Sequence, residues 1–199
     1  MTSTANAELD QLIIGNLLDL DTASKRIEEL TNEVWQQMCH ASGQWAKDQG
    51  WGGEFDPDGD FSVLPPSWQV EGEKEAWFYL GVGPGDPEEG TGHWPYFWLT
   101  RYLGLGSGQL CLWLDQKVTG VKKWKAAAKT HAEEIAGGGF HLDDSSNFYL
   151  PCSLDAGTVA TALADGDLPA ATAPIREALD QAAKAKHLFD ALLEQARQA

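Results

Sequence analysis

The feature that most constrains this chain is a two-residue alternation inside short apolar runs. Residues 76–82 read Ala-Trp-Phe-Tyr-Leu-Gly-Val and residues 109–116 read Gln-Leu-Cys-Leu-Trp-Leu-Asp-Gln. Successive side chains of an extended strand point to opposite faces, so each run sorts aliphatic residues to one side and rings to the other. A third run, Trp94–Leu103, is apolar at almost every position, as a central strand covered on both faces would be. Three strands are therefore expected at Ala76–Val82, Trp94–Leu103 and Gln109–Gln116, joined by the Gly- and Pro-rich segment Gly83–His93 and by a hairpin turn at Gly104–Gly108. On this register Phe78, Leu80, Val82, Phe97, Leu99, Leu110, Leu112 and Leu114 form an aliphatic face. Trp77, Tyr79, Trp94, Tyr96, Trp98, Tyr102, Cys111 and Trp113 form the opposite face.

Helical periodicity brackets these strands. Residues 7–19 place Leu9, Leu12, Ile13 and Leu17 on one side, with Gly15 a weak point. Asp21 or Thr22 can cap a longer helix to Gln49 with the stripe Ile27, Leu30, Val34, Met38, Ala41, Trp45, stopped by Gly50. Residues 51–75 are rich in turn formers and read as loop. A helix over Val121–Ala136, a fourth strand over Asn147–Leu150, a short helix from Ser153 or Asp155 to Ala164 and a terminal helix from Pro174 to Arg197 complete the order. The expected fold is α+β: helix, three-stranded antiparallel meander, helix, fourth strand, an αβββαβ-like core with C-terminal helices. Residues 1–150 form the core domain with its N-terminal helices, and 151–199 a helical segment packed on it.

An aromatic sheet face is either covered by a helix or kept as a binding surface, since Trp and Tyr combine large contact area with few rotors. Charge bears on the second reading. The chain carries 30 acidic and 14 basic residues, and of these 19 and 5 lie within residues 1–116. Such a field repels nucleic acid and anionic membranes and steers toward basic partners. Asp56, Asp58, Asp60, Asp86, Glu88 and Glu89 crowd the segments flanking the expected ribbon, where carboxylates can imitate phosphates. Together these features fit a non-enzymatic acidic binding protein, of inhibitor, immunity or adaptor type and of bacterial or phage character, that engages a basic protein surface. Its expected contact residues are Trp77, Tyr79, Trp94, Tyr96, Trp98 and Trp113 with those six acids.

Residues 1–6 lack the basic-then-apolar pattern of a signal peptide, and no apolar run reaches bilayer-spanning length. A cytoplasmic location is expected, with Cys39, Cys111 and Cys152 as reduced, buried thiols. A homodimer is one expected arrangement, with the terminal helix packing on a second copy.

Common chemical motifs fail on inspection. Asp56-x-Asp58-x-Asp60 opens like a calcium loop, but Phe61 stands where glycine is needed and Ser67 where the twelfth-position acid belongs. The triplets at Gly81, Gly83, Gly85 and at Gly104, Gly106, Gly108 do not lead into helices, so neither is a phosphate loop. No metal site and no cofactor are expected, and no catalytic set is complete.

One constellation carries a resemblance. The element order, with Asp115-Gln116-Lys117 closing an apolar strand, resembles the PD-(D/E)XK nuclease-like fold over about residues 22–150. The resemblance implies a divalent metal held by Asp115 and an acid of the preceding linker such as Glu88. Lys117 would position the water, and Glu28 or Glu29 would stand for the helical glutamate. Where the family's second strand carries Pro-Asp, this chain has Pro95-Tyr96. A metal-dependent nuclease-like protein with a degenerate site is thus the alternative to a binding protein.

Overall fold

The computed structural model describes residues 4–83 and 95–198. Helices α1 (Thr4–Gly15) and α2 (Leu17–Gln49) open the chain. The break falls at Asn16 (φ −120°, ψ 21°), next to the weak Gly15 and five residues before the expected cap. In α2 the periodic stripe does what periodicity requires: Val34, Met38 and Trp45 are buried, joined by Cys39, Ser42 and Ala46 on the adjoining turn. Gly50 ends the helix in the left-handed region (φ 68°), and the Trp51 amide donates back to the Ala46 carbonyl at 2.8 Å.

Strands β1 (Gly52–Phe55), β2 (Phe61–Leu64), β3 (Gln69–Val70), β4 (Glu73–Lys74) and β5 (Ala76–Val82) follow. Helix α3 (Trp98–Tyr102), strand β6 (Leu110–Gln116), helix α4 (Val121–Gly137) and strands β7 (His141–Leu142) and β8 (Phe148–Pro151) come next. Helices α5 (Ala156–Asp165) and α6 (Ala173–Gln198) close the described chain. Six strands form one antiparallel sheet in the order β1-β2-β5-β6-β8-β7, and β3 pairs with β4 in a separate small hairpin. The α+β class and the succession of helix, antiparallel meander, helix, strand and C-terminal helices are present.

The membership of the meander differs from expectation. Trp94–Leu103 is not its central strand: β5 pairs directly with β6 in seven registered pairs, from Ala76 opposite Gln116 to Val82 opposite Leu110. The apolar residues of that segment, Trp98, Leu99, Tyr102 and Leu103, recur at spacings of three and four, and the chain resolves them as a helical turn closed at Gly104 (φ 61°). Gly104–Gly108 therefore follows a helix instead of joining two strands. The place of the missing strand is taken by β1 and β2, which lie inside the segment read as loop. They are too short for alternation to show, and β1 begins with two glycines. Trp94, Asp86, Glu88 and Glu89 lie outside the described residues.

The helices pack on the aliphatic face. Phe189 of α6 is fully buried and meets Trp68, Phe78, Phe140 and Phe148 edge-on, with ring centroids 4.8–6.4 Å apart. Two buried indoles are satisfied by α6 carboxylates: Trp45 Nε1 donates to Asp180 at 2.7 Å and Trp68 Nε1 to Asp190 at 2.8 Å. Arg197 near the end of α6 pairs with Glu75 just before β5. Residues of α6 thus share one hydrophobic cluster with α2, α4 and the sheet.

Among the described residues no helix is long and apolar enough to cross a membrane.

Candidate functional site

Pairing of β5 with β6 dictates what stands on the other face. The register sets Trp77 opposite Asp115, Tyr79 opposite Trp113, and Gly81 opposite Cys111. β8 extends the row by placing Tyr149 opposite Trp113, and β7 adds His141 opposite Tyr149. The result is a line of rings across four strands, Tyr79–Trp113–Tyr149–His141. Trp113 and Tyr149 have centroids 5.0 Å apart and Tyr149 and His141 stack at 5.2 Å. On the far side of β5, the pairing of Val63 with Phe78 turns Ser62 to this same face, and Glu54 stands opposite Ser62.

A cleft of about 540 Å³ opens at the Trp77 end of this row. Its walls carry four carboxylates (Glu54, Asp60, Glu73, Asp115), two ammonium groups (Lys74, Lys117) and the rings of Trp77 and Tyr79. All its lining residues come from strands and the turns beside them, so the helices leave this face open here. Lys74 Nζ donates to Glu54 and, at 2.9 Å, to Ser62 Oγ, fixing one wall. Lys117 Nζ lies over the Trp77 ring, 5.3 Å from its centroid, a cation–π contact that occupies the ring from one side. Asp115 accepts the Gln116 amide through Oδ1 at 2.7 Å. Gly53 (φ 152°) is required beside Glu54, because a Cβ there would sit 2.0 Å from the Ser62 carbonyl oxygen. Burial raises the Tyr79 hydroxyl above its ordinary pKa, and the charges of Asp115 and Asp143 push the same way, so it remains a neutral donor.

The structure thus gathers five of the sequence-derived candidates, Trp77, Tyr79, Asp60, Asp115 and Lys117, into one cleft. Trp113 shares the face and is only 7% exposed. Asp56 and Asp58 fall in the β1–β2 connection, where Asp56 Oδ1 accepts the Asp58 amide at 3.0 Å as a turn-forming aspartate does. Tyr96 (85% exposed) and Trp98 (52% exposed) lie outside the cleft, Trp98 beside Thr31, Asn32 and Trp35 of α2; Arg101 lies over Trp98 at 4.6 Å. Neither Glu28 nor Glu29 of α2 lines the cleft. Among the described residues no three His, Cys, Asp or Glu side chains converge as a metal-holding group.

Lys74, Tyr149 and His141 were not singled out for this face from sequence. Tyr149 was legible: with Phe148 and Leu150 directed into the core, alternation sends it to the ring face. Glu54 and Lys74 depend on strands too short to show a period.

None of the three thiols lines the cleft. Cys39, Cys111 and Cys152 are free and buried. Burial pushes Cys39 and Cys111 up to about 12, and Cys152 is raised for the same reason, so none is a nucleophile near neutral pH.

Comparison with protein-family models, with curated proteins and with solved structures finds no match for this chain.

Proposed function

We propose that this protein is a non-enzymatic binding module whose open sheet face engages a basic protein surface, as an inhibitor, immunity or adaptor protein does. The observation that carries this reading is the cleft beside Trp77, where the rings of Trp77 and Tyr79 stand among four carboxylates on a face left open by the helices. A lysine or arginine of the partner finds there both parts of a good cation site, a ring face and a carboxylate. Lys117 already rests on Trp77 in this manner. An incoming cation exchanges with it, and the displaced ammonium remains solvated at the rim. The surrounding acidic field adds association rate and selects against acidic partners.

The test pairs a Lys/Arg-rich peptide with the wild-type chain and with a Trp77→Ala, Asp115→Asn variant, followed by calorimetry at low and high salt. The reading expects binding at low salt, steep weakening with added salt, and a loss of at least about tenfold in the variant, since central ring and charge contacts are where binding energy concentrates. Binding that ignores both salt and the substitutions would refute it. So would cleavage of DNA or RNA with Mg²⁺ that disappears in Asp115→Ala and Lys117→Ala, which would favour the nuclease-type alternative.

A further inference from the structure

Every residue from 7 to 23 is exposed, although all but Asn16 lie within α1 or α2. Seven large apolar side chains stand in this stretch: Leu9, Leu12, Ile13, Ile14, Leu17, Leu18 and Leu20, between 39% and 83% exposed. An isolated amphipathic helix of this length is marginal in water; helices are held by burial of their apolar face. The stripe that faces the core in the second half of α2, through Val34, Met38 and Trp45, runs back through Leu30 and Ile27 to Leu20 before the body ends. α1 continues it with Leu9, Leu12 and Ile13. The same apolar seam therefore serves the core at one end and projects without cover at the other.

We propose that this projecting arm is a homodimerisation element, and that its occupant is the arm of a second copy packed antiparallel about a two-fold axis. Area supports it: the five side chains on the seam side, Leu9, Leu12, Ile13, Leu17 and Leu20, at roughly 100 Å² apiece give about 500 Å² of apolar surface per copy, close to the apolar share of the ~800 Å² that each partner contributes to a standard interface. Charge sets the direction. Glu8 and Asp10 lie near one end of the arm, and Lys25 and Arg26 near the other. Antiparallel packing with the axis beside Leu17 brings the acids of each arm next to the cations of its mate. Parallel packing would instead set Glu8, Asp10, Asp19 and Asp21 against their own copies. Lys25 and Arg26 currently pair along their own helix with Asp21, Glu29 and Glu33 in exposed contacts, which are weak and readily exchanged.

Light scattering after size exclusion, over a micromolar concentration series of the full chain, tests this. The wild type is expected at twice the chain mass, and a Leu12→Asp, Leu20→Asp variant at the chain mass. Near-ultraviolet circular dichroism of the variant should match the wild type, because Leu12 and Leu20 are exposed and neither belongs to the core cluster. Orientation is read by oxidation: Leu17→Cys should cross-link to its copy, and Glu8→Cys, at the far end of an antiparallel pair, should not. The three native cysteines are buried and do not compete. A wild-type monomer at all concentrations would overturn the proposal, leaving the arm to another chain or segment. A dimer that survives both aspartates, or equal cross-linking through Glu8→Cys, would overturn it too.

Discussion

Replacing Phe189 with alanine probes the point where the C-terminal helix meets the sheet. The ring is fully buried and touches Trp68, Phe78, Phe140 and Phe148 edge-on, the closest at 4.8 Å. Truncating a buried phenylalanine costs about 3–5 kcal/mol, combining lost transfer energy with the cavity left behind. Four aromatic neighbours on several different elements cannot all collapse into that space, which places Phe189→Ala at the upper end, about 4–5 kcal/mol. A domain of this kind is stable by only about 5–15 kcal/mol, so the variant should be close to unfolding at 37 °C. Phe189→Leu refills most of the volume and forfeits mainly the edge-to-face contacts, for a cost of about 1–2 kcal/mol. Urea titration followed by tryptophan fluorescence and by far-ultraviolet circular dichroism measures both. The two probes should give one coincident transition with an unchanged slope, displaced to lower urea in the order wild type, leucine, alanine. A loss below about 2 kcal/mol for alanine, or a separate early transition for the helix alone, would refute the view that α6 is an integral wall of the core.

The thiols should resist iodoacetamide in the folded protein at pH 8, and all three should react on denaturation. Rapid stoichiometric labelling of the native chain would contradict their burial. Because folding raises the pKa of Cys39 and Cys111 to about 12 from an unfolded value of about 8.5, their contribution to stability is intact below pH 8.5 and fades as pH climbs toward 12. Asp155 behaves oppositely: as the N-cap of α5 its carboxylate accepts from the Thr158 amide at 2.7 Å and from the Thr158 hydroxyl at 2.8 Å, which lowers its pKa. Its contribution is intact above about pH 3.9, the unfolded value, and is lost as pH falls through the lower folded value. Asp155→Asn should flatten that part of the acid titration, and an unchanged acid limb would argue against the cap.

The sequence was most readable where one period acted alone. Val34, Met38 and Trp45 lie where helical spacing put them, and Phe78, Leu80, Leu112 and Leu114 where strand alternation put them. It misled at Trp94–Leu103, where almost continuous apolarity satisfies both periods and cannot choose between them. Tertiary pairing of β5 with β6 decides the matter by leaving no room between them. β1 and β2 were missed for the opposite reason: four residues are too few to establish any period, and their pairing comes from the Asp56–Asp60 connection. The cleft was half visible. Trp77, Tyr79, Asp115 and Lys117 follow from one strand pair, whereas Glu54 and Lys74 reach it through long-range pairing that no local signal encodes.

In β5 and β6 the even-numbered residues build the interior, while the odd-numbered Trp77, Tyr79 and Asp115 line the cleft. Cleft and core are thereby written on interleaved letters of the same short words. Exchanging Trp77 or Asp115 for another side chain can reshape the cleft while Phe78, Leu112 and Leu114 keep the scaffold standing. Deleting a single residue from the middle of either strand would be far graver than any exchange. It would turn rings and carboxylates inward and put aliphatic side chains on the outside, so the cleft can change by substitution and not by slippage.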